Sequence, residues 1–376
     1  MAGIYIHIPF CKQACHYCNF HFVTSLRYKN ELLAALLKEM ELRRDYFGNE
    51  KVETIYFGGG TPSLLTPADL QLQIEKARSL FDVAPDAEVT VETNPDDIDE
   101  ETLKGWKESG INRLSIGIQS FFDDDLLWMN RAHNADQSLH ALESATKYFS
   151  NVTIDLIYGT QLLTNEKWKH NVETAIRMNI PHLSCYALTV EPKTPLQKMI
   201  SAGKLGDVDP DSQSEQFLLL MQWMEDAGYE HYEISNFALP ASSAGKPGYR
   251  SRHNSAYWHG KKYLGLGPSA HSFDGNNRQW NVSNNVLYIE SINNGIIPFE
   301  REQLTDIQKT NEYIMTSLRT IEGLDLDKVG QQQRERLIKE TKKYVERGLL
   351  LQKKGSLILT NEGKLLADGI AADLFA

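Results

Sequence analysis

A chain of 376 residues suits one large domain plus a smaller one, and 41% hydrophobic with 24% charged residues is a globular composition that excludes a disordered or fibrous chain. With 39 Lys and Arg against 50 Asp and Glu the net charge is −11, so a general nucleic-acid binder is not expected, because phosphate contacts need clustered cations; only segment 334–354 leans basic, in the manner of a solvated helix face. No apolar run reaches membrane-spanning length, and the opening MAGIYIHIPF has no basic leader and is interrupted at His7 and Pro9, so a cytoplasmic chain beginning with a strand is expected.

Strands are predicted at Gly3–Ile8, Val52–Phe57, Glu88–Glu92, Arg113–Ile118, Val152–Ile157 and His182–Ala187, each a short run of the kind that is buried on both faces of a sheet. Helical patterns lie between them. Arg27–Phe47 carries apolar residues from Leu32 to Leu42, Thr66-Pro67 caps and opens the next helix, and others fit 99–109, 135–148 and 165–179. Six βα units in a row predict a parallel sheet, open or curled as a barrel. Segment 188–211, with Pro192, Pro195 and Pro210, reads as a linker, followed by a helix at 212–227. Residues 229–300 read as aromatic-rich strands and loops. The chain then turns helical, with a hairpin in 349–360 turning at Lys354-Gly355, as in a small winged-helix-like domain. The expected division is a barrel core at 1–190, an extension at 191–300 and a mainly helical C-terminal domain at 301–376.

Three of the four cysteines, Cys11, Cys15 and Cys18, fall in one loop after the first strand. Such clustering points to a metal or redox site rather than a disulfide scaffold. Three thiolates in a short loop can each hold one iron of a [4Fe–4S] cubane and leave the fourth iron open. Zinc, with His16 or His21 as a further ligand, is the competing reading. Cys185, inside an apolar strand, reads as a small buried hydrophobe. Phe57-Gly58-Gly59-Gly60-Thr61-Pro62 follows the second strand and is either a plain tight turn or a close backbone approach to a ligand. It is not a P-loop. Glu92, Asn94, Gln119, Ser120, Arg131, His133 and Asp155 gather at the carboxyl ends of later strands, the edge where parallel α/β folds build their sites.

CxxxCxxC after strand one with GGGTP after strand two resembles the radical S-adenosylmethionine (SAM) superfamily. The fuller set IYIHIPFCKQACHYC, YFGGGTPS, VETNPDD, RLSIGIQSF and IDLIYG resembles the oxygen-independent coproporphyrinogen III oxidase family. The resemblance implies an α/β fold, a partial (βα)6 TIM-like barrel. It implies that Cys11, Cys15 and Cys18 hold a [4Fe–4S] cluster whose open iron chelates SAM and passes one electron to its sulfonium. It further implies SAM contacts from Tyr5, Tyr17, Gly59, Gly60, Thr61, Glu92, Gln119, Arg131, Asp155 and Ala187.

Within that family three features resemble the heme chaperone branch rather than the oxidases. Phe20 stands where the oxidases have a further cysteine, the first strand starts at Gly3 without an extension, and residues 253–258 read HNSAYW, an HNxxYW signature. A neutral imidazole is a common heme ligand, so His253 is the expected axial residue, with His231, His259 and His271 as rivals. Tyr257 and Trp258 offer flat faces to a porphyrin, and Arg250 and Arg252 can pair with propionates. The implied partners are heme and an apo-hemoprotein, a respiratory one among the candidates, through which peripheral membrane contact could arise. The alternatives are a coproporphyrinogen III dehydrogenase and a radical SAM enzyme on another substrate.

Overall fold

In a computed structural model, which describes residues 2–241 and 248–376, the six expected strands are β1 (Ala2–Ile8), β2 (Val52–Gly59), β3 (Val83–Thr93), β4 (Arg113–Gln119), β5 (Val152–Tyr158) and β6 (His182–Ala187). They pair in parallel and in chain order, as a partial (βα)6 barrel requires. Between them run α1 (Lys29–Leu42), α2 (Pro67–Leu80), α3 (Glu100–Glu108), α4 (Asp123–Trp128), α5 (Ala135–Tyr148) and α6 (Asn165–Arg177). Thr66 begins α2 with a capping box, its hydroxyl accepting from Asp69 N while Asp69 accepts from Thr66 N.

The strands are buried on both faces, but the faces differ in kind. Ile4, Ile6, Ile8, Ile55, Phe57, Val89, Val91, Ile116 and Ile154 face the helices and form the core with Leu32, Leu36, Trp106 and Trp168. The alternate residues on the same strands are polar: Tyr5 and His7, Thr54 and Tyr56, Glu88 and Glu92, Arg113 and Ser115, Thr153 and Asp155, His182 and Ser184. A period of two puts these on the barrel interior.

Segment 188–211 is more structured than a linker. Thr194 caps α7 (Pro195–Ser201), and α8 (Pro210–Asp226) begins inside the segment. The region after it extends the sheet at both edges. β7 (Glu230–Glu233) and β8 (Asn236–Ala238) add antiparallel strands beside β6. β9 (Lys262–Leu266) pairs in parallel with β1, and β10 (His271–Phe273), β11 (Asn277–Asn281) and β12 (Phe299–Gln303) follow. One twelve-stranded sheet and one core reaching Ile292 continue from the barrel strands into the region after residue 190. Between β8 and β9 the short helix α9 (Arg252–Trp258) packs against β1 and β2, and α10 (Asn285–Asn293) packs on α1.

A second core, from Ile314 to Leu374, belongs to the C-terminal part. It holds α11 (Asp306–Leu318), α12 (Gln331–Glu346), α13 (Asn361–Lys364) and α14 (Ala367–Asp373) around the small sheet β13 (Leu324–Asp325), β14 (Leu350–Lys353) and β15 (Ser356–Leu359). The β14–β15 hairpin turns at Lys354 and Gly355, both at positive φ, which suits a two-residue turn.

Candidate functional site

The cysteine loop leaves β1 and is closed at its base by Val23, which accepts from Cys11 N and donates to Pro9 O. The glycine turn after β2 is hydrogen-bonded to that base: Gly60 N donates to Ile8 O at 2.9 Å and Thr61 N to Phe10 O at 2.6 Å. A side chain at Gly60 would lie 2.5 Å from Phe10 O, so this glycine allows two backbone segments to touch. The loop after β4 clamps the other side. Asn130 donates to Ala14 O and accepts from Gln13, and His16 N donates to Met129 O. Lys12 pairs with Asp96 and Asp97 beyond β3.

These segments enclose a cavity of about 540 Å³. Cys11, Cys15 and Cys18 line one part of it. Tyr17, Gly59, Gly60, Thr61, Glu92, Gln119, Arg131, Asp155 and Ala187 line the remainder, with Asn94. Tyr5 lies outside this lining. Its ring stacks on Tyr56 and its hydroxyl meets His7 Nδ1 at 3.2 Å. Ser120 donates to Asp125, and His133 is buried against Ile118 O, which removes both from the cavity wall. Ser115, Gly117 and Tyr186 also line the cavity. They went unnoticed in the sequence, although Ser115 and Gly117 share the inward face of β4 with Gln119.

Arg131 donates to Asn94 Oδ1 at 2.6 Å and Gly117 O at 2.8 Å, and lies 3.4 Å from Cys15 Sγ. Its Nε and the Gln119 Oε1 are buried without partners. Glu92 accepts from Tyr56 O–H at 2.8 Å and Gly59 N at 3.1 Å, and burial pushes its carboxyl up to about 7. Burial likewise pushes Asp155 up to about 6. Two orphaned polar atoms, two desolvated carboxyls and a guanidinium fit a ligand that carries an ammonium, a carboxylate and ribose hydroxyls.

The donor set beside them fits a cubane better than a zinc ion. Among the described residues no three His, Cys, Asp or Glu side chains converge on one metal position. A cubane spreads its cysteines over separate irons. His16 Nδ1 is held by Trp128 O and His21 Nε2 by Asn285 Oδ1, and neither residue lines the cavity beside the three cysteines.

His253 sits elsewhere, on α9 at the opposite end of the barrel interior. Its side chain is 2% exposed. Nδ1 meets Thr54 Oγ1 at 2.7 Å and Nε2 meets Tyr257 Oη at 2.9 Å, so neither ring nitrogen is open to a metal in this conformation. Burial lowers its pKa to about 3, which makes it a neutral imidazole. Glu88 accepts from the Arg252 and His253 backbone N–H groups and fixes the start of α9. Arg250 is paired with Glu230 and Glu322, and Arg252 with Glu53, so both expected propionate partners are engaged. Of the rival histidines, His231 contacts Lys364 Nζ and Ile234 O, while His259 and His271 are exposed.

A parallel partial barrel with a three-cysteine loop and a polar cavity at its carboxyl rim defines a radical SAM protein. Residues 5–175 match the radical SAM superfamily and residues 304–366 the HemN C-terminal domain. The chain is 34% identical to the heme chaperone HemW of Bacillus subtilis, over 98% of both chains. It is also 34% identical to the heme chaperone HemW of Mycobacterium tuberculosis, over 99% of this chain and 94% of that one. The fold matches that of the Escherichia coli coproporphyrinogen III oxidase HemN with a TM-score of 0.84 at 23% identity, covering 100% of this chain and 90% of that one. The chain belongs to the HemW family.

Proposed function

We propose that this chain is a heme chaperone that binds heme and hands it to an apo-hemoprotein, using a radical SAM core. The observation that carries this reading is full-length similarity to proteins named as heme chaperones. Phe20 supports it: at the end of the cysteine loop its side chain is 66% exposed, at the position where the resemblance places a further cysteine in the oxidases.

Cys11, Cys15 and Cys18 would hold a [4Fe–4S] cluster, which supplies a reducing electron to bound SAM. Glu92 would accept the SAM ammonium, a cation that favours its ionised form against the burial that raises its pKa. Arg131, already fixed by Asn94 and Gly117 O, would direct its free Nε at a carboxylate. Gln119 and Asp155 would bond ribose hydroxyls, and Tyr17 would cover the adenine. No helix among the described residues is long and apolar enough to cross a membrane.

The competing activity is tested with the cluster reconstituted without oxygen, SAM, a strong reductant and coproporphyrinogen III, beside an active oxidase. No protoporphyrinogen is expected. Turnover would replace the chaperone reading by an oxidative decarboxylase.

A further inference from the structure

We propose that the outer face of the C-terminal domain, formed by α12 and the tip of the β14–β15 hairpin, is a docking surface for an anionic lipid bilayer. Segment 334–354 holds eight Lys or Arg and three Glu, a net +5 in a chain whose total is −11. Exposed charges further apart than a Debye length of about 8 Å are largely screened at physiological salt, so a flat surface meeting this face senses the local excess rather than the distant acids. Arg334, Arg336, Lys342 and Lys343 are paired with Asp327, Glu340, Glu346 and Asp373 in turn. Lys339, Arg347, Lys353 and Lys354 are exposed and have no ion-pair partner among the described residues.

The packing of the domain fixes which way this segment faces. Leu337, Thr341 and Tyr344 are buried and turn one side of α12 inward. Ile338, Lys342 and Val345, at steps of four and three, form a stripe on another side, where Ile338 and Val345 stay 40% and 39% exposed. In the hairpin Leu350, Leu357 and Leu359 join the second core, while Leu351, on the alternate face and opposite Ile358, is 53% exposed. Lys353 and Lys354 stand at the tip, where Lys354 takes positive φ as the chain turns back. Aliphatic side chains open to solvent are thus interleaved with cations along one stretch of chain.

Single exposed aliphatic residues are ordinary, but set among cations they select the partner. A bilayer offers phosphate headgroups to Lys and Arg and, just beneath them, hydrocarbon to Ile338, Val345 and Leu351. A nucleic acid would use the cations and leave the aliphatic residues against a hydrated phosphate backbone. The aromatic ring of α12, Tyr344, belongs to the core instead of standing out to stack on bases. Contact of this kind holds a chain on the bilayer surface without a spanning segment.

The test mixes the full-length chain with lipid vesicles and reads the bound fraction by co-sedimentation; no heme is present, so the result is independent of the heme-binding reading. Vesicles of phosphatidylcholine with about 30% phosphatidylglycerol should capture the chain, phosphatidylcholine alone should not, and added salt should weaken capture. Each Lys or Arg near an anionic surface strengthens binding about fivefold, so the double variant Lys353→Gln, Lys354→Gln should bind roughly 25-fold more weakly. Leu351→Ser should weaken binding about tenfold through lost apolar burial. Lys147→Gln, at an exposed position of α5, should bind as the unmodified chain does. Circular dichroism reports folding, and the exposed tip lysines keep the test decisive if Leu351→Ser fails to fold. No preference for phosphatidylglycerol, or a preference that the tip variant leaves intact, would overturn the proposal. Tighter binding to duplex DNA than to the vesicles, indifferent to Leu351→Ser, would overturn it in favour of a nucleic-acid surface.

Discussion

Cys11, Cys15 and Cys18 lie on a loop held by backbone hydrogen bonds to Val23, Met129 and Cys15 O, so the loop keeps its shape without depending on any one thiol. Replacing any one by Ser should leave folding intact and lower iron and sulfide to a small fraction of four per chain after reconstitution. Full occupancy in all three variants would reject the cluster assignment. Glu92 and Asp155 give a pH prediction. Their folded pKa values, about 7 and about 6, are raised by burial above the ordinary carboxyl range. The stability they contribute is present at low pH and lost as pH rises through those values. A cationic ligand needs the ionised forms, so the rise in melting temperature caused by SAM should grow between about pH 5.5 and 7.5 and flatten in Glu92→Gln. A pH-independent shift would remove Glu92 from the ligand's surroundings. Much of the cavity wall was legible in the sequence because motif residues there are exceptions to an apolar strand pattern. Tyr186 was not, since a tyrosine in a strand reads as core.

At the scale of elements, two-faced strands explain how one sheet carries both core and site. A run such as RLSIGIQ looks uniformly buried, and it is, yet Ser115, Gly117 and Gln119 face the cavity while Leu114, Ile116 and Ile118 face helices. The sequence reveals burial and period but not which face is lumen, because that depends on the sheet curling. Long-range pairing was equally hidden: nothing local tells that β9 returns to lie parallel beside β1. The glycine turn gives the sharpest element-level prediction. In Gly60→Ala the new methyl would meet Phe10 O, Ile8 O and Phe10 N, all within 2.8 Å and all backbone. The junction between the turn and the cysteine loop must open, at a cost of about 1–3 kcal/mol, and cluster content should fall with it. An unchanged melting temperature and full iron content would show that the contact between the two segments is unimportant.

The whole molecule joins two cores, and one contact between them is unusual. Lys364 of α13 sits against His231 of β7, 2.8 Å from its Nδ1. Burial lowers the Lys364 pKa to about 8, and His231 is held neutral, lowered to about 3 by burial. A buried lysine costs stability while it is protonated in the fold, so stability should rise with pH from about 8 towards the ordinary lysine value of about 10.4. Thermal melts between about pH 7.5 and 10 should show an upward increment that Lys364→Met lacks; identical profiles would contradict it. The hairpin and helices of the second core were legible from local pattern, whereas this docking contact was not, because it joins residues far apart in sequence.

The most direct measurement of the central claim is heme transfer. The cluster-reconstituted chain, loaded with heme and freed of excess, is mixed with an apo-hemoprotein, and the acceptor's spectrum and activity are followed with and without SAM. Transfer to the acceptor faster than from free heme is the predicted result. Heme that stays on the chain, or reaches the acceptor only at the rate of its spontaneous dissociation, would contradict a chaperone role.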